Sequence, residues 1–227
     1  MVKNKILVAL GTRPELIKLA PLINKLSTSK TFDLKICYTG QHKALVKMSS
    51  DIFNFKPDFS FNIMKKNQDS VYLVEKIFQK MRIVLKKYKC DSIIVQGDTT
   101  TAMAVALAGF YFKKKIYHIE AGLRTHNIND PFPEEANRKI ISEISTIHFA
   151  PTKSSMRNLT KENIPKQNIF VTGNTVIDSL KLISKKYGIK RSEENIILCT
   201  IHRSENTNKN INVIINSLLK IAKDNPD

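Results

Sequence analysis

Only seven glycines occur in these 227 residues, and five of them stand just after a short apolar run. Gly11 follows KILVAL (5–10), Gly40 follows DLKICYT (33–39) and Gly97 follows SIIVQ (92–96). Gly122 follows IYHIEA (116–121) and Gly173 follows NIFVT (168–172). Short runs rich in Ile and Val and bounded by turn residues read as strands. DFSFNIM (58–64) and IHFAP (147–151) add two more. Helical patterns fill the intervals. LIKLAPLINKL and ALVKMSSDIF are two of them. In residues 69–88, Val71, Val74, Ile77, Phe78, Met81 and Leu85 recur at helical spacing. TAMAVALAGFYF is almost wholly apolar and reads as a buried helix. Strand and helix in strict alternation imply an α/β fold: a mostly parallel sheet covered by helices on both faces.

In such a sheet the carboxyl ends of the strands share one edge, and ligands bind in the crevice outside it. Glycine there lets the backbone turn sharply and lets a ligand come close. Polar groups follow each glycine: TRPE, QH, DTTT, LRT and NT. Five such turns in register read as one ligand-binding rim. The pattern is not GxGxxG and gives no support for a nicotinamide cofactor. The first domain is expected over residues 1–175 and a helix with a polar connector over 176–195. Residues 196–227 read as one further strand and helix. One strand and one helix cannot close a core, and a second doubly wound domain would need on the order of 100–150 more residues. A fragment is therefore expected.

The composition, 42% hydrophobic and 25% charged, is ordinary for a globular protein. The apolar run at 6–10 is too short for a signal peptide, and no stretch approaches a membrane span, so a cytoplasmic protein is expected. Cys37, Cys90 and Cys199 are far apart, read as buried reduced thiols, and have no metal-ligand spacing. The formal charge of +17 raises the question of a nucleic-acid partner. The basic residues are spread along the chain, however, with no basic stripe interleaved with aromatics. No nucleic acid is expected, and attraction for a small polyanion fits equally well.

Several rim residues could carry chemistry. Arg13 and Lys18 flank the first turn, where a helix N-terminus is a ready anion site. Either Asp98 or a threonine after it caps the following helix, or Asp98 is a rim carboxylate. Glu120 ends an apolar strand, where an unpaired charge is costly. Alternation places His118 on its side of the sheet, so a His118–Glu120 pair is the bland alternative. Glu134 and Glu135 open a helix after PFP and could pair with Arg138 and Lys139 at i,i+4 spacing. His202 ends the strand of the second unit, followed by Arg203, Glu205 and Asn206, and reads as part of an active-site rim.

The motifs GTRPELIKLAPL, TGQH, QGDTTT, HIEAGLRT, PFPEEANRK and HRSEN resemble, in order and spacing, those of the non-hydrolysing UDP-N-acetylglucosamine 2-epimerases. The resemblance runs through the whole chain. It implies a glycosyltransferase-B-type pair of Rossmann-like domains, the second one incomplete here and holding much of the nucleotide. It implies interconversion of UDP-N-acetylglucosamine and UDP-N-acetylmannosamine: elimination of UDP with loss of the C2 proton, then re-addition with the proton returned to the other face. Asp98, Glu120 and Glu134 would be the functional carboxylates; which is base and which acid stays open. Arg13, Lys18 and His202 would face the diphosphate. Gln41 and His42 fit the region where many bacterial members bind a second, activating UDP-sugar, but Lys43-Ala44-Leu45 and KKNQ (65–68) depart from the usual pattern. The resemblance implies neither a metal nor any other cofactor. A homodimer is expected for the full-length protein. The rival substrate is a related UDP-diacetamido-uronic acid, and a non-catalytic UDP-sugar-binding remnant is the other alternative.

Overall fold

The first strand shows why the sheet is covered on both sides. In β1 (Asn4–Leu10), Leu7 and Ala9 point into one apolar cluster, and Ile6, Val8 and Leu10 into another. A strand whose alternate residues are all apolar must be buried on both faces. The computed structural model describes residues 3–40, 44–63, 65, 69–189, 196–200 and 211–225. After β1 come α1 (Arg13–Ser27), β2 (Phe32–Tyr38), α2 (Ala44–Phe53), β3 (Phe59–Ser60) and α3 (Ser70–Lys87). β4 (Ser92–Gln96), α4 (Thr100–Tyr111), β5 (Lys115–Ile119) and α5 (Glu134–Ile144) follow. β6 (Ile147–Ala150), α6 (Lys153–Lys161), β7 (Ile169–Val171), α7 (Val176–Tyr187) and α8 (Ile211–Asp224) complete the order.

All strand pairs are parallel, in the order β3-β2-β1-β4-β5-β6-β7. The chain order reverses between β1 and β4, which sets the crevice outside the ends of those two strands. Leu16, Leu19 and Ile23 of α1 pack on one face of the sheet. Ile77 and Met81 of α3, Val105 of α4 and Ile141 of α5 pack on the other. α4 lies between α3 and α5 as well as on the sheet, which is why its sequence is apolar all round. The expected α/β architecture is thus observed.

The contacts divide the chain into two compact units, Met1–Tyr187 and Gly188–Asp227. The first includes α7, which docks on α1 through a gap in that helix. Pro21 has no N–H, so the carbonyl of Ile17, four residues earlier, loses its helical donor. Ser179 Oγ of α7 is fully buried and donates a hydrogen bond to that carbonyl. Lys186 Nζ adds bonds to the carbonyls of Asp51 and Ile52 at the end of α2.

In the second unit residues 196–200, the described part of the strand expected in NIILCTIHRSEN, form no strand. A strand persists only where neighbours take its backbone groups, and the described residues of this unit offer none. Cys199 is accordingly exposed, not buried, while Cys37 and Cys90 are buried free thiols as expected. Burial pushes Cys90 up to about 11. α8 forms, with Val213, Ile215, Leu219 and Ile221 exposed.

Candidate active site

The rim begins with the turn after β1. Thr12 caps α1 and, with Glu15, forms a reciprocal capping box. Glu15 is buried. Its Oε2 accepts from the N–H groups of Gly11 (2.7 Å) and Thr12 (2.6 Å), and its Oε1 from Thr99 Oγ1 (2.6 Å). Burial pushes this carboxyl above its ordinary value, opposed by those hydrogen bonds. Glu15 therefore ties the turn after β1 to the turn after β4. Arg13 is the first residue of α1 and is exposed, with no ion-pair partner among the described residues.

Glu120 stands one residue past the end of β5, with φ at +63°. This left-handed conformation breaks the strand alternation, so the His118–Glu120 pair, the bland alternative from the sequence, does not occur. His118 Nε2 instead meets the carbonyl of Gly97 at 2.7 Å. Glu120 is gripped by three donors. Lys18 Nζ lies 2.5 Å from Oε2, Gln96 Nε2 also donates to Oε2, and Asn174 Nδ2 lies 2.8 Å from Oε1. The Glu120 side chain is 11% exposed, so these donors replace most of its water.

Asp98 is not the helix cap. That role falls to Thr99, whose hydroxyl accepts from Ala102 N–H. Arg138 of α5 donates from both Nε (2.9 Å) and Nη2 (2.6 Å) to Asp98 Oδ2. Asn137 donates to the Asp98 carbonyl at 2.8 Å. The third guanidinium nitrogen reaches Glu135 at 2.9 Å, and Glu135 also accepts from His126 N–H. Burial works to raise the Glu135 carboxyl, but the Arg138 and backbone bonds outweigh it and hold it below the ordinary value. The i,i+4 pairing expected between Glu134 and Arg138 is thereby displaced. Arg138 has two carboxylates nearer to hand, one of them from another turn of the sheet edge. Glu134 Oε2 is buried and has no hydrogen-bond partner among the described residues. An acceptor in that state is costly to maintain.

Gly97, which directly precedes Asp98, also lies close to Glu120. It takes φ of +72°, its N–H bonds to the Ile119 carbonyl, and a methyl group placed on it would lie 3.9 Å from Glu120 Oε2. At Gly122 the close approach is internal. A methyl group there would meet the Ser155 carbonyl at 2.3 Å, so this glycine serves helix packing more than ligand access. Arg124 of the same loop is structural too. Its buried guanidinium forks onto Glu162 (2.8 and 2.6 Å) and reaches Ser142. Gln41, His42 and His202 lie outside the described residues. The sequence reading missed Glu15, Gln96, Asn174 and the Asp98–Arg138 pair. Only the S/T-x-x-E spacing of Thr12 and Glu15 signalled one of them in advance. Among the described residues no cluster of three or more His, Cys, Asp or Glu could hold a metal, and no helix is long and apolar enough to cross a membrane.

The fold and site together define a Rossmann-like α/β domain whose carboxyl edge carries Asp98 and Glu120, held by cationic and amide partners, beside Glu134, whose buried oxygen has no partner among the described residues. The chain belongs to the UDP-N-acetylglucosamine 2-epimerase family, whose family model matches residues 24–227. A Campylobacter jejuni UDP-N-acetylglucosamine 2-epimerase is 45% identical over 100% of this chain and 63% of its own length. The crystal structure of UDP-GlcNAc 2-epimerase from Neisseria meningitidis bound to UDP-GlcNAc superposes with a TM-score of 0.89 at 42% identity, covering 98% of this chain and 63% of that one. A putative UDP-N-acetylglucosamine 2-epimerase from Listeria monocytogenes gives 0.90 at 37% identity, covering 100% and 61%. The chain thus spans just over three fifths of the length of the relatives it matches.

Proposed function

We propose that this chain carries the acid–base half of an enzyme interconverting UDP-N-acetylglucosamine and UDP-N-acetylmannosamine for surface polysaccharide precursors. The observation that carries the reading is the unequal treatment of three carboxylates on one rim. Glu120 has both oxygens occupied by donors, Asp98 has one oxygen held by Arg138, and Glu134 has a buried oxygen with no partner among the described residues. In the elimination, the bond from C1 to UDP breaks as a base takes the C2 proton, leaving a 2-acetamidoglucal. UDP then re-adds at C1 and C2 regains a proton on the opposite face. Two proton carriers are required, one for each face. Glu134 and Asp98 have oxygen free for that work. Glu120, fixed by three donors, is suited to stabilise positive charge on the ring. Arg13 at the N-terminus of α1 is suited to the departing diphosphate, and Lys18 would share its charge between Glu120 and the ligand. The first domain, 1–175, is the catalytic part in this reading. His202 would act from the second, nucleotide-holding part.

The reading places the protein in the cytoplasm. Exposed Ile83, Phe110 and Tyr111 on α3 and α4 are compatible with a homodimer, which light scattering would test. The functional test is incubation with UDP-N-acetylglucosamine in deuterated water, followed by NMR at C2. Exchange together with appearance of UDP-N-acetylmannosamine supports the proposal. Exchange that needs a complete second domain identifies this chain as the catalytic part alone. No exchange in either form overturns the substrate assignment. Glu134→Gln should lose exchange almost entirely. Glu120→Gln should slow it by about 10²–10³, the range for losing one preorganised electrostatic group.

A further inference from the structure

Asn174 has two side-chain bonds that fix each other. Its Oδ1 accepts the N–H of Val176, the first residue of α7, at 3.1 Å. Its Nδ2 donates to Glu120 Oε1 at 2.8 Å. Flipping the amide would set Nδ2 against a backbone donor and Oδ1 against a carboxylate. The backbone of α7 therefore dictates that the amide donor faces Glu120. The residue reaches Glu120 from the turn after β7, two strands away in the sheet. Gln96 and Lys18 both bond to the other oxygen, so Asn174 alone, among the described residues, holds Oε1.

We infer that Asn174 is a positioning residue: it locks the Glu120 carboxylate through the same amide that starts α7. The inference rests on Glu120 belonging to the reaction site proposed above. Asn174 is half-buried and need not touch substrate. Its contribution is to hold one Glu120 oxygen in place while the other faces Lys18.

A swap experiment separates this role from simple helix initiation. Aspartate opens a helix turn as well as asparagine does, so a residue serving only α7 tolerates Asn174→Asp. A positioning residue does not, because the substitution sets two carboxylates face to face. Asn174→Asp in the 227-residue chain should lower the thermal midpoint by roughly 3–6 °C. Glu120→Gln should also lower it, since two amide donors then meet. The double variant exchanges carboxylate and amide. The amide introduced at position 120 donates to the carboxylate introduced at position 174, while its carbonyl still accepts from Lys18 and Gln96. This variant should recover at least half of the summed losses. A silent Asn174→Asp, or strictly additive losses, would overturn the inference. In whichever form of the protein exchanges C2, Asn174→Asp should lower kcat about 10²-fold, as for a misplaced catalytic group, with KM nearly unchanged. The double variant should stay slow, because the charge has moved off position 120. If the wild type exchanges nothing, the functional proposal fails, while the stability cycle still reports on the Asn174–Glu120 bond.

Discussion

Replacing Arg138 by methionine removes the cation that serves two carboxylates at once, and the two should respond differently. Glu135 is fully buried, with its side chain 0% exposed, and keeps only backbone N–H donation once the guanidinium is gone. Asp98 is 26% exposed and can turn to water. Breaking a buried pair by removing one partner costs about 3–5 kcal/mol, whereas a partly exposed pair contributes about 1 kcal/mol or less. Methionine keeps most of the Arg stem, so little packing is lost. Arg138→Met should therefore destabilise by about 3–5 kcal/mol at neutral pH, or roughly 6–20 °C in thermal midpoint. The sign with pH follows from Glu135. Its carboxyl is held low in the intact protein, so its contribution to stability is present above the ordinary carboxylate value of 4.5 and is lost as pH falls through the lower folded value. Without Arg138, burial is left to push the carboxyl up. Protonation then relieves the uncompensated charge, and the penalty should shrink between about pH 7 and pH 5. Urea unfolding of both proteins at several pH values measures this. A penalty below about 1 kcal/mol, or one that is the same at both ends of the range, would refute the argument.

Three further outcomes are expected. Ser179→Ala should cost about 1–3 kcal/mol by orphaning the Ile17 carbonyl; in a Pro21→Ala background, where the helix supplies its own N–H, the cost should fall to under about 1 kcal/mol, and an equal cost in both backgrounds would show that Ser179 does not compensate for Pro21. Gly122→Ala should cost clearly more than Gly173→Ala. Both have positive φ, but only at Gly122 does a methyl group strike a backbone carbonyl, at 2.3 Å; the open Gly173 should lose only about 1–2 kcal/mol, and equal midpoints for the two variants would refute the difference. Burial holds His118 down to about 3 and His148 to about 4. Both stay neutral when folded and take protons when unfolded, so stability should fall as pH drops from about 6.5 toward 4, by up to about 1.4 kcal/mol per pH unit for each. His148→Asn should roughly halve that slope, and an unchanged slope would remove His148 from the account.

The sheet could be read from the sequence because burial on both faces writes itself into each strand. The buried positions of β1 and the central Ile93, Ile94 and Val95 of β4 are all apolar, and a glycine marks each carboxyl end. The acidic rim could be read only as a set of candidates. Spacing states which residues are able to touch along one helix, and it paired Glu134 with Arg138. It contains nothing about Asp98, which lies 40 residues before Arg138 and comes from another turn. Lys18 is 102 residues from Glu120 and Asn174 is 54. Those partners become visible only once the strand order sets β1, β4, β5 and β7 along one edge. Residues 196–200 form no strand for the complementary reason: a local pattern is present, but the described residues of their unit supply no neighbour.

Glu120 and Glu134 show how far local rules reach at such a site. From the sequence, Glu120 is the residue hardest to excuse, since it ends a buried strand, while Glu134 fits helix electrostatics and chemistry equally. The structure reverses those weights. Glu120 is fully compensated by three donors, and its positive φ takes it out of the strand that made it look anomalous. Glu134, at the favourable end of α5, keeps a buried oxygen with no partner among the described residues while Arg138, one turn away, serves two other carboxylates. A cation available for pairing and directed elsewhere is a stronger sign of a reserved acceptor than burial alone, because the fold had the means to satisfy Glu134. It follows that this Glu134 oxygen is costly to folding, and that replacing Glu134 by glutamine or leucine should stabilise the protein or leave it unchanged even as the proposed exchange is lost. A fall in thermal midpoint comparable to that of Arg138→Met would show instead that Glu134 is held by the fold.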